Sequence, residues 1–333
     1  MKKKFLFLTA LCMISTAINA INPNEYKTIK QVVIWGHQHP GHTHHWIHYA
    51  YHRTFKHLGF NTLWLSDAPH PEVNFSNSLF FAHGLEEKHL PQRDDCRYIL
   101  HNVETRKYQP LLDNGRAIIL QVYTHDCLER DVVEIDDLTY LDFGKKVVYM
   151  PWATDLLPHE IDEQKVRIAN EEIAKERTVH YVGSVGRSGP NDIFENATPV
   201  EAFKRGCTKQ GISFKLHRHI PAEKNKTLVQ RSIMAPAIQS KWQCEKGYIP
   251  CRILKNISYG HMGVTNSETV YKLLKGKVVY NADPEQLAID ALARIGNMDQ
   301  KELFALMDLV RDKHTYVHRI NVLLCFLDQF LPL

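Results

Sequence analysis

At 333 residues, 44% of them hydrophobic, the chain can bury a sizeable core and has the length of about two domains. A net charge of +4, with no long Lys/Arg block beyond the N-terminus, suits anions such as phosphates and carries no footprint of nucleic-acid binding. The seven cysteines form no Cys-x-x-Cys pair, which argues against a zinc ribbon or a thioredoxin motif.

Residues 1–20 read as a secretory signal peptide: Lys2-Lys3-Lys4, an apolar run from Phe5 to Ala17, and a small residue at Ala20. Export or a secretory lumen is the expected location. An uncleaved anchor, with the body on the cytoplasmic face, is the alternative, and the N-terminus is then the membrane contact. No later stretch is long and apolar enough to span a bilayer.

Gln31 to Trp35 is a buried-type strand ending in Gly36-His37-Gln38-His39-Pro40-Gly41-His42. A helix follows from His44 or His45 to Leu58, stopped by Gly59, and Asn61 to Leu65 is the next strand. This β-α-β unit opens a doubly wound domain but lacks the full Gly-x-Gly-x-x-Gly fingerprint. Ser78 to Ala82, Arg97 to His101, Ala117 to Tyr123 and Val147 to Met150 supply further strands. Residues 21–155 form the expected first Rossmann-like domain, and the charged stretch 156–177 the expected linker.

A second α/β set begins with strand Val179 to Val182 and the loop Gly183-Ser184-Val185-Gly186-Arg187. Thr198 to Gln210 reads as a helix, Ser213 to Leu216 as a strand, and Lys226 to Gln239 as helical around Pro236. Arg252 to Tyr259 is a helix stopped by Gly260, and Met262 to Thr265 a short buried strand. Asn266-Ser267 starts another helix, and Asp283-Pro284-Glu285 opens the next with acids at the positive end of its dipole. This second domain spans 178–310, and amphipathic helices close the chain, the last within 311–333. Strands alternating with helices imply parallel sheets covered on both faces, with ligands at the strands' carboxyl ends.

From Gly247 to Leu287 the sequence resembles the donor-binding half of GT-B glycosyltransferases of the group-1 type. The residues that carry the resemblance are Ser258-Tyr259-Gly260, Gly263-Val264-Thr265-Asn266 and Asp283-Pro284-Glu285-Gln286-Leu287, with Tyr181-Val182-Gly183-Ser184 as the opening strand and turn. The resemblance implies two Rossmann-type domains facing a cleft, with a C-terminal helix returning to the first. It implies a nucleotide-sugar donor in the second domain, a glycan or other hydroxyl acceptor in the first, no nucleic-acid partner, and no essential metal or cofactor. Retaining members carry paired Glu around this helix. Here Lys255 stands where the second would be, and Glu245 lies upstream of the first, so the pairing is not met.

Arg252 and Lys255, one helical turn apart, are the expected cations for a departing diphosphate. Gly183, Ser184, Arg187, Gly260, Thr265, Asn266 and Ser267 are the other donor-side candidates, though turn and cap chemistry explains such residues equally well. In the first domain, His37, His39 and His42 are candidate bases, and Asp155 is the carboxylate to test first. Asp67, His83, His101, Asn102, Tyr123 and Thr124 sit at its expected strand ends. His44, His48 and His52 repeat one turn apart, which could suit zinc, but no His-Glu-x-x-His is present. Two alternatives to a transferase therefore stay open: an exported non-catalytic carbohydrate- or nucleotide-binding protein, and a metal-binding protein built on the histidines.

Overall fold

A computed structural model describes residues 26, 28–40, 43–123, 132–136, 139–142, 144–171, 173–186 and 196–330. The proposed signal peptide, His42, Thr124 and Arg187 lie outside the described residues. The chain divides into two units, Met1–Met150 with Tyr316–Leu333, and Pro151–Thr315. Both are α/β and both are built on parallel strands, as expected of doubly wound domains. Among the described residues no helix is long and apolar enough to cross a membrane.

The first unit holds an eight-stranded sheet in the order β2-β1-β3-β4-β5-β8-β7-β6. Its strands are β1 (Gln31–Trp35), β2 (Thr62–Leu65), β3 (Ser78–His83), β4 (Arg97–His101), β5 (Ala117–Gln121), β6 (Val133–Asp136), β7 (Thr139–Asp142) and β8 (Val147–Tyr149). β3 and β4 are buried along their whole length, which is why they read as continuous apolar runs rather than alternating ones. Helix α1 (Thr43–His57) connects β1 to β2, and α2 (Thr105–Asp113) connects β4 to β5. On one face Phe80 stacks on Tyr98 at 5.2 Å, and Trp35 meets Phe75 and Phe80 edge-on at 6.0 Å. Each such fully buried large side chain contributes roughly 1.5–3 kcal/mol by leaving water. β6 and β7 add an antiparallel edge that the sequence pattern did not announce.

In the second unit α3 (Pro158–Asn170) precedes β9 (Thr178–Val182), so much of the stretch expected as a linker is a helix of this unit. The chain continues through α4 (Ala197–Lys209), β10 (Ser213–His217), α5 (Ala222–Arg231), β11 (Ala235–Ala237), α6 (Lys241–Glu245) and α7 (Cys251–Ser258). It ends with β12 (Gly263–Thr265), α8 (Glu268–Leu273), β13 (Val279–Tyr280), α9 (Pro284–Ile295) and α10 (Gln300–Lys313). The final helix, α11 (Tyr316–Phe330), belongs to the first unit and packs on α1.

Two parallel ladders, β10-β9 and β11-β12-β13, are tied together at β9. Ile233 N donates to Thr178 O at 3.0 Å, and His180 N donates to Ser232 Oγ at 3.0 Å. The strands thus run β10-β9-β11-β12-β13. The expected helix from Lys226 to Gln239 is corrected here: α5 ends at Arg231 and the chain becomes strand at Ala235. Pro236 removes a helical donor and clashes with the preceding turn, and the buried run Met234 to Ile238 fits the sheet interior.

Candidate functional site

In both units the strand order follows the doubly wound pattern in which the second strand lies outside the first and the third lies inside it. The connections then leave the first strand toward one face and the third toward the other, which opens a crevice at their carboxyl ends. In the first unit that place is the ends of β1 and β3. In the second it is the ends of β9 and β11.

At the end of β1, Gly36 (φ 79°) and His37 (φ 53°) turn the chain through the left-handed region. A Cβ on Gly36 would fall 2.9 Å from Glu87 Oε1, so only glycine lets that carboxylate come so close. His83 ends β3, His101 ends β4, and His44 and His48 stand on the first turns of α1. These five imidazoles form one cluster. Ring centroids are 4.4 Å apart for His44–His83, 5.0 Å for His37–His48 and His83–His101, and 5.1 Å for His37–His83. His48 and His101 share a buried Nε2···Nε2 contact of 2.9 Å. Burial, then the neighbouring imidazoles, holds both well below the ordinary 6.5, so both rings are neutral. His48 Nδ1 donates to Gly36 O at 3.4 Å, so its Nε2 accepts from His101.

Glu87 sits beneath the cluster, 2% exposed, and burial pushes its carboxyl up. Its Oε1 accepts from His83 N at 3.0 Å and lies 3.5 Å from His37 Nε2, while Oε2 lies 3.7 Å from His83 Nδ1. Sequence reading missed Glu87. The available signal was a carboxylate one helical turn beyond a strand-end histidine. His37, His44 and His83 each bring one nitrogen within 4.8 Å of the others. His39 is exposed on the loop, and His52 lies against Trp64 at 5.8 Å. Asp67 serves the scaffold: it accepts from Trp35 Nε1, Lys88 N and His89 N at 2.7–2.9 Å. Burial opposes its ionisation, but those bonds outweigh burial and lower its pKa.

In the second unit, Gly183 follows β9 at φ 141°, and its N–H donates to His217 O at the end of β10. Arg252, in the first turn of α7, lies over this glycine. Its Nε donates to Val182 O at 3.1 Å, its Nη1 donates to Tyr181 OH, and its guanidinium carbon sits 4.4 Å from the Tyr181 ring centroid. A Cβ at position 183 would fall on Arg252 Nη2. Among the described residues no carboxylate pairs with Arg252. The N-terminus of α7 has no side-chain cap, so the positive end of its dipole adds to the same place.

The other expected donor-side groups are used differently. Lys255 forms an ion pair with Asp155 at 2.9 Å. Asp155, expected as a first-domain carboxylate, belongs to the second unit, where Tyr259 OH also donates to it. Asn266 clamps the end of β11: it accepts from Gln239 N at 2.9 Å and donates to Gln239 O at 3.0 Å. Thr265 Oγ1 accepts from Ser267 N, and Ser267 caps α8. Ser184 is exposed beside Gly183. Gly260 (φ 96°) lies before β12, at the strands' amino edge, where a Cβ would strike Ile168. A helix joining parallel strands runs against them, so the glycine that stops it lies at the edge opposite the crevice.

No protein-family model matches the sequence, and no curated relative matches it. Among solved structures, the chain is similar to a glycosyltransferase from Rickettsia africae ESF-5. The two share 9% identity, over 91% of this chain and 100% of that one, with a TM-score of 0.48. It is also similar to an α,α-trehalose-phosphate synthase (UDP-forming) from Burkholderia xenovorans in complex with glucose-6-phosphate. There the identity is 11%, over 86% of this chain and 79% of that one, with a TM-score of 0.45.

Proposed function

We propose that the chain is a glycosyltransferase that moves a sugar from a nucleotide-activated donor to an acceptor hydroxyl. The second unit holds the donor and the first supplies the acceptor-side groups. The observation that carries this reading is Arg252, fixed over Gly183 at the β9–β11 crevice with no carboxylate paired to it among the described residues. A guanidinium held in this way, beside an uncapped helix N-terminus, suits a diphosphate. As the bond from sugar to phosphate breaks, negative charge grows on the leaving diphosphate, and a cation already in place lowers the barrier. The sequence resemblance over Gly247 to Leu287 supports the same assignment. The acceptor proton goes to an imidazole of the first unit. Residues 1–20 direct the chain to a secretory route.

Calorimetry of the full chain with UDP, GDP and ADP tests the reading. At least one should bind, and Arg252→Ala should weaken it at least tenfold. Failure of all three to bind would overturn the assignment. Binding without turnover of any matching nucleotide sugar would leave the non-catalytic alternative.

A further inference from the structure

The first unit's imidazole cluster holds more than a base requires, and its hydrogen bonds fix where its protons are. His83 Nδ1 faces the backbone N–H groups of Glu86 at 3.2 Å and Leu85 at 3.4 Å. It must accept, so the neutral ring carries its proton on Nε2. The amide end of Asn102 lies 3.3 Å from that Nε2 and 3.1 Å from His44 Nε2. A half-turn of an Asn amide exchanges its oxygen and nitrogen, and the hydrogen-bond partners decide between the two. Here the partner is an N–H, so Asn102 presents its oxygen. That oxygen, with two lone pairs, accepts from His83 and from His44 together. The lone pair of His44 is then on Nδ1, as in His83. His44 thus offers Nδ1, whereas the Nδ1 lone pair of His83 is engaged by two backbone N–H groups at 3.2 and 3.4 Å and must leave them to bind a metal. A carbonyl oxygen holds the outer N–H groups of both rings, as it does for imidazoles that bind metals.

The carboxylate beneath them points the same way. Glu87 is 2% exposed, and its Oε2 has no hydrogen-bond partner among the described residues. A buried carboxylate left in that condition is costly unless a cation accompanies it. No Lys or Arg forms an ion pair with it among the described residues.

We propose that His37, His44 and His83, with Glu87 beside them, form a binding site for one divalent transition-metal ion of the zinc class. Imidazole with carboxylate favours such ions over magnesium or calcium, which take oxygen ligands. Two nitrogens about 2.0–2.1 Å from a tetrahedral zinc are roughly 3.3 Å apart. One nitrogen of each ring lies within 4.8 Å of the others, so the three close by up to about 1.5 Å on binding. His48 and His101 are committed to each other and form the wall of the site. The inference stands on ligand geometry and does not depend on sugar transfer. It adds a metal that the sequence resemblance did not imply.

Cobalt(II) is the probe. Chelator-treated full-length protein should take up one equivalent and show the visible d–d bands of a nitrogen-rich, low-coordinate site, and zinc(II) should displace it. His44→Ala and His83→Ala should each weaken cobalt binding at least a hundredfold. Asn102→Leu, which removes only the orienting oxygen, should weaken it about ten- to a hundredfold, and His39→Ala should bind as wild type does. Absence of cobalt bands in the wild-type protein, together with no zinc uptake by calorimetry, would overturn the proposal. So would unchanged affinity in His44→Ala/His83→Ala. If a variant fails to fold, the wild-type titration alone decides.

Discussion

Lys255 and Asp155, one hundred positions apart in the chain, form an ion pair at 2.9 Å inside the second unit. Burial opposes charge on both. The attraction between them outweighs it, raising the Lys255 pKa and lowering that of Asp155, and Tyr259 OH completes the carboxylate's bonding at 2.8 and 2.9 Å. Removing one member of a buried pair leaves the other charge uncompensated. Lys255→Met is therefore expected to cost about 3–5 kcal/mol in urea unfolding. Lys255→Met/Asp155→Leu should recover most of that loss. Nucleoside diphosphate affinity should change little in the folded fraction, because Arg252 is untouched. A large loss of affinity with unchanged stability would return Lys255 to the phosphate site.

Arg252 predicts a different pattern. Its fork bonds to Val182 O and Tyr181 OH while its plane lies over the Tyr181 ring. Lysine keeps the charge but has neither the fork nor the plane. Arg252→Lys should therefore lose most of the nucleoside diphosphate affinity that Arg252→Ala loses. Calorimetry on the two variants side by side checks this, and full retention in the lysine variant would reduce the guanidinium to a simple point charge.

Two glycines separate site from scaffold. A methyl group at position 183 would occupy the space of Arg252 Nη2, and one at 260 would strike Ile168, both at positive φ. Gly183→Ala and Gly260→Ala should each lose stability by about 1–3 kcal/mol through strain and overpacking. Only Gly183→Ala should also weaken nucleoside diphosphate binding, because it displaces the guanidinium. Equal ligand affinity in both folded variants would remove Gly183 from the site.

How far the sequence could be read follows from the range of the interactions involved. β1, its histidine loop and α1 were legible because a buried strand, a glycine turn and a helical period are local patterns. Glu87 was not, because nothing near it in sequence says that its loop returns to Gly36. Lys255 read as a solvent-facing or phosphate-facing cation because its partner lies a hundred residues earlier. Gly260 was recognised as a helix stop but assigned to the wrong edge, since a turn does not state which end of the sheet it serves. Lys226 to Gln239 read as helical around Pro236, because the buried strand that contains the proline depends on β12 as a neighbour.

The buried histidine pair makes stability depend on pH. His48 and His101 are held well below 6.5, first by burial and then by the imidazoles around them. A group lowered in the folded state contributes stability that is complete above its unfolded value and is lost as pH falls below it. The unfolded chain takes up protons there that the folded chain refuses. The denaturation midpoint, measured with chelator present, should be level above pH 6.5 and fall below it. The slope should approach about 1.4 kcal/mol per pH unit for each ring that stays neutral. Glu87, raised by burial, works in the opposite sense and is relieved as pH falls, but its range begins nearer the ordinary 4.5. His48→Gln/His101→Gln should start less stable and show a flatter profile between pH 6.5 and 5. An equally steep profile in that variant would place the titrating groups elsewhere.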